Sequence, residues 1–277
     1  MKVASTVEDL RGMQRELPRP LGLVPTMGFL HDGHLALVRA AREQNLSVAA
    51  SIFVNPKQFG PSEDFASYPR DLNRDLGLLD TAGVDLVFVP SVEEMYPTGF
   101  STVVDVGPIG DVLEGARRPG HFRGVATVVA RLLGLFQPQR AYFGQKDAQQ
   151  CVVVKKLTRE LGFPTDIVVV PTVREPDGLA LSSRNVYLSP AERIAARVLS
   201  ASLRSALAAY QGGERDADRL RDQVSQMVTQ EPLARLDYVS VADAWTLEEL
   251  QHINGAAIVS MAAWVGKARL IDNVLLM

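Results

Sequence analysis

Short apolar runs alternate with amphipathic stretches through the first two-thirds of the chain, and the alternation predicts strands and helices in turn. Residues 21–24 (LGLV) are apolar and are closed by Pro25, the pattern of a buried strand with an abrupt end. After a turn rich in Gly and Asp, apolar residues recur at Leu35, Val38 and Ala41, which is one face of a helix. Residues 46–54 (LSVAASIFV) predict the next strand, and two strands around a helix make a parallel, right-handed βαβ unit. The same logic predicts a helix over 72–79 capped by Gly83, strands over 85–89, 140–144 and 165–170, and helices over 125–136 and 145–161. Ser5 and Glu8 have capping-box spacing for a helix running to about residue 16, residues 101–106 alternate weakly as an edge strand, and 111–117 reads as a short helix. The whole is an α/β pattern, a Rossmann-like doubly wound parallel sheet.

The pattern changes near Pro176. Of the 16 prolines, 14 lie at or before that residue, and only Pro190 and Pro232 follow it. Helices over 191–209 and 216–229 are succeeded by apolar strands over 236–241, 256–263 and 268–275. This predicts a smaller C-terminal α+β domain, with a division into residues 1–174 and 175–277.

Composition narrows the function classes. The chain has 277 residues, 47% hydrophobic and 22% charged, the balance of an ordinary globular protein with ample core. A net charge of −3 supplies no field to recruit nucleic acid or an anionic membrane. No apolar run reaches the roughly 18 residues of a membrane span, and MKVASTVEDL lacks the apolar core of a secretory signal, so a cytoplasmic location is expected. The single cysteine, Cys151, rules out an internal disulfide and a cysteine metal cluster.

Candidate chemistry gathers at the carboxyl ends of the predicted strands, where open α/β sheets bind ligands. His31 and His34 stand where the first of these strands hands over to a helix, a place suited to phosphate. At the tip of the next strand, Asn55 and Gln58 can hydrogen-bond a small polar substrate beside Phe59. The run RPGHFRG (118–124) offers cations, although helix capping accounts equally for its glycines. In GQKDAQQ (144–150), Lys146 suits a phosphate, Asp147 accepts from ribose hydroxyls, and Gln150 lies one turn on. The interdomain loop 174–185 carries Ser182, Ser183 and Arg184 and can close over a triphosphate.

The spacing H-x-G-H after a strand resembles the signature of the class I nucleotidylyl-transfer superfamily. The ordered set PTMGFLHDGH, SIFVNPKQFG, GHFRGV, GQKDAQQ and PTVREPDGLALSSRN, from Pro25 to Asn185, closely resembles the pantothenate synthetases, or pantoate–β-alanine ligases. The resemblance implies condensation of (R)-pantoate with β-alanine, driven by ATP, through a pantoyl adenylate, with AMP and pyrophosphate released. It implies an ATP site at Met27, Gly28, Phe29, Leu30, His31, Asp32, Gly33 and His34, at Gly144, Gln145, Lys146 and Asp147, and at Val173, Leu181, Ser182, Ser183 and Arg184. His34 matches the family's assigned proton donor; His31, Lys146 and Arg184 supply charge and donors, and Gln58 and Gln150 hold pantoate, with Asn55 beside them. Mg²⁺ on the phosphates, a lid role for the C-terminal domain and a homodimer built mainly through the N-terminal domain are further implications. Two positions depart from the usual pattern: Gln145 stands where Glu is common and Leu181 where Met is common.

Three rivals share parts of this pattern. A nucleotidylyltransferase would adenylate a phosphate ester and leave a dinucleotide, an aminoacyl-tRNA synthetase fragment would need a more basic surface, and a binding module would hold ATP without turnover.

Overall fold

A computed structural model describes residues 1–61 and 63–277; Ser62, inside the predicted loop 55–70, lies outside the described residues. The chain forms two compact units, residues 1–144 with 153–170, and residues 145–152 with 171–277.

In the first unit the elements run β1 (Lys2–Ala4), α1 (Val7–Gln14), β2 (Leu21–Thr26), α2 (Asp32–Gln44), β3 (Ser47–Ile52), α3 (Leu72–Thr81) and β4 (Leu86–Phe88). There follow α4 (Val92–Met95), α5 (Glu114–Arg117), α6 (His121–Phe136), β5 (Arg140–Gly144), α7 (Ala148–Glu160) and β6 (Asp166–Val170). The six strands are parallel in the order β1-β4-β3-β2-β5-β6. Helices cover both faces, as parallel sheets require. On one face Val24, Val48, Ala50 and Val87 pack with Leu37, Val38 and Ala41 of α2 and Leu79 of α3. On the other, Phe88 meets Phe136 of α6 edge-on at 6.1 Å. The strand order reverses between β2 and β5, so the topological switch point, where such sheets bind ligands, lies at their carboxyl ends.

Pro25 does not end β2, contrary to expectation: the strand continues to Thr26 with Pro25 opposite Ser51. Thr26 O accepts from Phe53 N on the β3 side, so the nitrogen of Pro25 points toward β5, and pairing with β5 has already stopped at Leu23. The missing donor therefore costs no ladder bond.

Other boundaries also shift. Thr6, not Ser5, caps α1, accepting from Asp9 N at 3.1 Å. Residues 101–106 form no strand; Val104 N donates to Thr127 Oγ1 of α6 at 3.0 Å, so a helix side chain takes a bond that a ladder would have needed.

The second unit contains the 145–152 segment, α8 (Pro190–Ala195), α9 (Arg197–Gln211), α10 (Ala217–Thr229) and an antiparallel sheet of β7 (Ala234–Asp243), β8 (Ala257–Val265) and β9 (Ala268–Leu276) in that order. Leu199, Leu203 and Ala206 of α9, and Leu220, Val224 and Val228 of α10, repeat at helical spacing and bury against Val241, Val259 and Met261. The helix expected over 191–209 is two helices, broken at Ala196. The boundary between units falls within α7, and the segment leaving β5 groups with the C-terminal part of the chain, although it lies inside the expected 1–174 domain.

Among the described residues, no helix is long and apolar enough to cross a membrane.

Candidate active site

The turn that leaves β2 is tightly determined. Gly28 (φ 83°) and Phe29 (φ 50°) both take the left-handed conformation, which is costly for Phe29. A methyl group on Gly28 would stand 3.0 Å from both Asp75 Oδ2 and Ile52 Cγ2. The turn's backbone donors are collected by one carboxylate: Phe29 N and Leu30 N lie 2.6 and 2.8 Å from the two oxygens of Asp75. Asp75 is 1% exposed and projects from α3. Its signal in the sequence is a lone acid on the stripe Leu72, Leu76, Leu79, where a carboxylate needs donors to be tolerated.

His31 and His34 cap α2 reciprocally. His31 Nδ1 accepts from Gly33 N at 3.2 Å, and His34 Nδ1 accepts from His31 N at 3.3 Å. An imidazole nitrogen that accepts has no proton, so each neutral ring carries its proton at Nε2. Two Nε2–H donors are thereby fixed at the N-terminal end of a 13-residue helix, on rings 4.1 Å apart. Donors and dipole both favour an anion there.

Beyond β3, residues 56–58 form a 3-10 turn capped by Asn55. Asn55 is 1% exposed, and its hydrogen-bonding groups are engaged internally. Its Nδ2 donates to Gln58 Oε1 (3.0 Å) and Gly124 O (3.1 Å), while Oδ1 accepts from Tyr96 OH (2.8 Å) and Lys57 N (3.2 Å). Burial, only partly offset by Arg131, pushes the Tyr96 phenol up to about 12, so it stays a donor. Asn55 therefore orients Gln58, whose Nε2 lies 3.1 Å from Met27 Sδ; the expected direct contact of Asn55 with substrate has no side-chain valence to use.

The RPGHFRG run resolves toward structure. Gly120 (φ 81°) is the N-cap of α6, and Gly124 lets that helix approach the 56–58 turn, since a Cβ there would stand 2.2 Å from Lys57 O. Gly124→Ala should cost about 1–3 kcal/mol through overpacking, because the obstacle is backbone and cannot rotate away; urea unfolding measures it, and an unchanged midpoint would show that the helix can retreat.

In the second unit, residues 145–147 form a 3-10 turn, and α7 begins only at Ala148, so Asp147 precedes the regular helix. The turn is clasped from β9. Asn273 Nδ2 donates to Gln145 O and Lys146 O at 2.9 Å each, and Asn273 Oδ1 accepts from Gln145 Nε2 at 2.9 Å. That last bond needs an amide donor, which gives the departure at Gln145 a local reason: a Glu there would face the Asn273 oxygen with another acceptor. Among the described residues, Lys146 Nζ makes one long contact, with Asp147 Oδ1 at 3.5 Å.

The expected loop 174–185 is ordered as a hairpin followed by a 3-10 turn. Leu181 N donates to Val173 O at 3.0 Å, Arg174 pairs with Ala180, and Glu175 N donates to Leu179 O. Arg174 grips both oxygens of buried Asp272 at 2.6 and 2.8 Å. Arg193 reaches Asp177 at 2.7 Å and Glu175 at 3.0 Å, and its hydrogen bonds outweigh burial to hold the Asp177 carboxyl below the usual carboxylate range. Ser182 caps the 3-10 turn Ser183–Tyr187, accepting from Arg184 N at 3.3 Å. Sequence reasoning missed Asp272 and Asn273; their signal is a polar pair interrupting the apolar strand ARLIDNVLL.

A family model for pantoate-beta-alanine ligase matches residues 2–275. The chain belongs to that family. It is 60% identical over 277 residues to a pantothenate synthetase of Chloroflexus aurantiacus, covering 100% of this chain and 98% of the relative. It is similar to the crystal structure of pantothenate synthetase from Thermus thermophilus, with a TM-score of 0.95 and 53% identity over 99% of both chains. The pantoate-beta-alanine ligase of Francisella tularensis, complexed with beta-gamma ATP and β-alanine, matches with a TM-score of 0.81 and 34% identity over 99% of this chain and 97% of that one. The fold expected from the alternation of apolar runs and amphipathic stretches is the fold observed, a parallel six-stranded sheet followed by a small antiparallel one. The ligase motifs fall on strand ends and caps in each unit, and among the described residues no three His, Cys, Asp or Glu side chains gather closely enough to share a metal ion.

Proposed function

We propose that this chain joins (R)-pantoate to β-alanine, using ATP and releasing AMP and pyrophosphate. Family membership supports the reaction, and the reciprocal histidine cap is the observation that carries the residue roles. In the first step a pantoate carboxylate oxygen attacks the α-phosphorus, the bond to the β-phosphate bridging oxygen breaks, and pyrophosphate leaves. Such transfer depends on in-line positioning and on neutralising charge, with no need for a protein nucleophile. His31 and His34 present Nε2–H to the phosphate chain, and His34 follows the leaving group as proton donor. Lys146, Ser182, Ser183 and Arg184 add charge and hydroxyl donors, Arg184 with a fork that matches two phosphate oxygens. Met27–Leu30, Asp32 and Gly33, Gly144, Gln145, Asp147, Val173 and Leu181 complete the nucleotide's surroundings in this reading. Gln58 and Gln150 orient pantoate, and Asn55 holds Gln58.

In the second step the β-alanine nitrogen attacks the adenylate carbonyl, AMP leaves, and the ammonium proton passes to solvent or an unassigned base. Mg²⁺ would accompany ATP as part of the substrate and would screen the charge of its phosphates. Closure of the C-terminal unit as a lid, a homodimer and a cytoplasmic location belong to the same reading.

Pantoate-dependent exchange of labelled pyrophosphate into ATP, with AMP appearing only after β-alanine is added, is the expected result. Exchange without pantoate, or ADP as product, would refute the assignment.

A further inference from the structure

His121 opens α6 beside the turn that carries Gln58. Its Nδ1 lies 2.8 Å from Gln58 O. A carbonyl only accepts, so Nδ1 holds the proton and Nε2 is left to accept from Arg118 Nη1 at 3.1 Å. Arg118 grips the Glu63 carboxylate with two donors, at 2.9 and 2.5 Å. The sequence of groups is carboxylate, guanidinium, neutral imidazole, carbonyl. It ends on the backbone of the residue whose side chain Asn55 holds from the other end.

We propose that Glu63, Arg118 and His121 form a positioning relay that fixes Gln58 for pantoate. The proposal rests on the reading that Gln58 binds pantoate. With the backbone carbonyl tied to His121, Oε1 tied to Asn55 and one Nε2 hydrogen directed at Met27 Sδ, the group of Gln58 that reaches a ligand is the second Nε2–H. Binding to an amide already held costs less ordering than binding to one that rotates freely.

The imidazole must stay neutral for the relay to hold, because a protonated Nε2 cannot accept from Arg118. The surroundings enforce this. Burial lowers the His121 pKa most, the facing Arg118 lowers it further, and the bond to Gln58 O with Glu63 and Glu114 only partly offset them, leaving about 4 against an ordinary 6.5. Burial pushes Glu63 the other way, yet the bonds and charge of Arg118 keep its carboxyl below the usual range, so it remains the anion at the start of the relay. Between pH 6.5 and 4 an unfolded His121 binds a proton that the folded one refuses, so stability supplied by the neutral ring falls as pH drops through that window.

The test compares His121→Leu, which keeps bulk and removes the donor, with His121→Asn, whose amide nitrogen replaces Nδ1. His121→Leu should raise the KM for pantoate about tenfold, the scale of one lost buried hydrogen bond, while the KM for ATP stays within about twofold. His121→Asn should return the pantoate KM to within about threefold of the parent. Both variants should lose less stability than the parent between pH 6.5 and 4. An unchanged pantoate KM in a folded His121→Leu protein, equal rises for both substrates, or failure of Asn to rescue would each overturn the relay. Gln58→Ala run in parallel separates the two layers: no effect there overturns the pantoate reading and the relay with it, whereas an effect at Gln58 with none at His121 overturns the relay alone.

Discussion

His34→Ala should slow adenylate formation about 10²- to 10³-fold, the usual loss when one fixed donor to developing negative charge is removed, with little change in the KM for pantoate. Single-turnover release of pyrophosphate measures it. The structure adds a sharper variant, because His34 also caps α2 by accepting from His31 N. Glutamate is the ordinary residue for that capping position. His34→Glu should therefore retain the cap and near-parental thermal stability, yet be at least as slow as alanine, since a carboxylate brings a negative charge to the phosphates and no donor. Rescue of the rate by glutamate would mean that His34 acts only as a cap, and the donor role would fall.

The two histidines are legible in the sequence as residues at a helix start, but their tautomer is not. It follows from two backbone N–H groups aimed at two Nδ1 atoms, a fact of turn geometry that spacing alone does not contain. The same division runs through the fold. The alternation of apolar strands with amphipathic helices exposes the parallel sheet, because burial on both faces leaves long apolar runs. Lys2–Ala4 escapes notice: three residues are too few to display a period, and that strand exists only through its pairing with β4. Residues 101–106 have the period without a partner strand.

Among the candidate site residues, those inside local motifs can be read directly, and those that act across long sequence separations cannot. Asn273 holds Gln145 from 128 positions away, and Asp75 holds Leu30 from 45. Each appears in sequence only as a polar residue where an apolar one would pack. Asn55 illustrates the converse: its motif advertises a substrate contact, whereas the fold commits its valences to Gln58, Gly124, Tyr96 and Lys57.

Asp75→Ala should lower the thermal midpoint by about 10 °C and raise the KM for ATP, though Asp75 need touch no substrate. The carboxylate satisfies Phe29 N and Leu30 N in a buried turn, and each donor left unpaired costs about 1–3 kcal/mol. A combined loss of about 3 kcal/mol corresponds to that shift in a domain of this size. The turn cannot readily find other partners, because Gly28 and Phe29 already hold left-handed conformations that the surroundings must maintain. Once Asp75 is gone the turn is free to relax, and it lies immediately before the His31 cap that aims both Nε2 donors. Asp75→Asn separates stability from aim. Its one remaining oxygen can serve Phe29 or Leu30 but not both, and its NH₂ group opposes the other N–H, so it should recover less than half of the lost stability. If Asp75→Ala unfolds at the parental temperature with an unchanged ATP KM, the carboxylate is a bystander and the turn is held by its own packing.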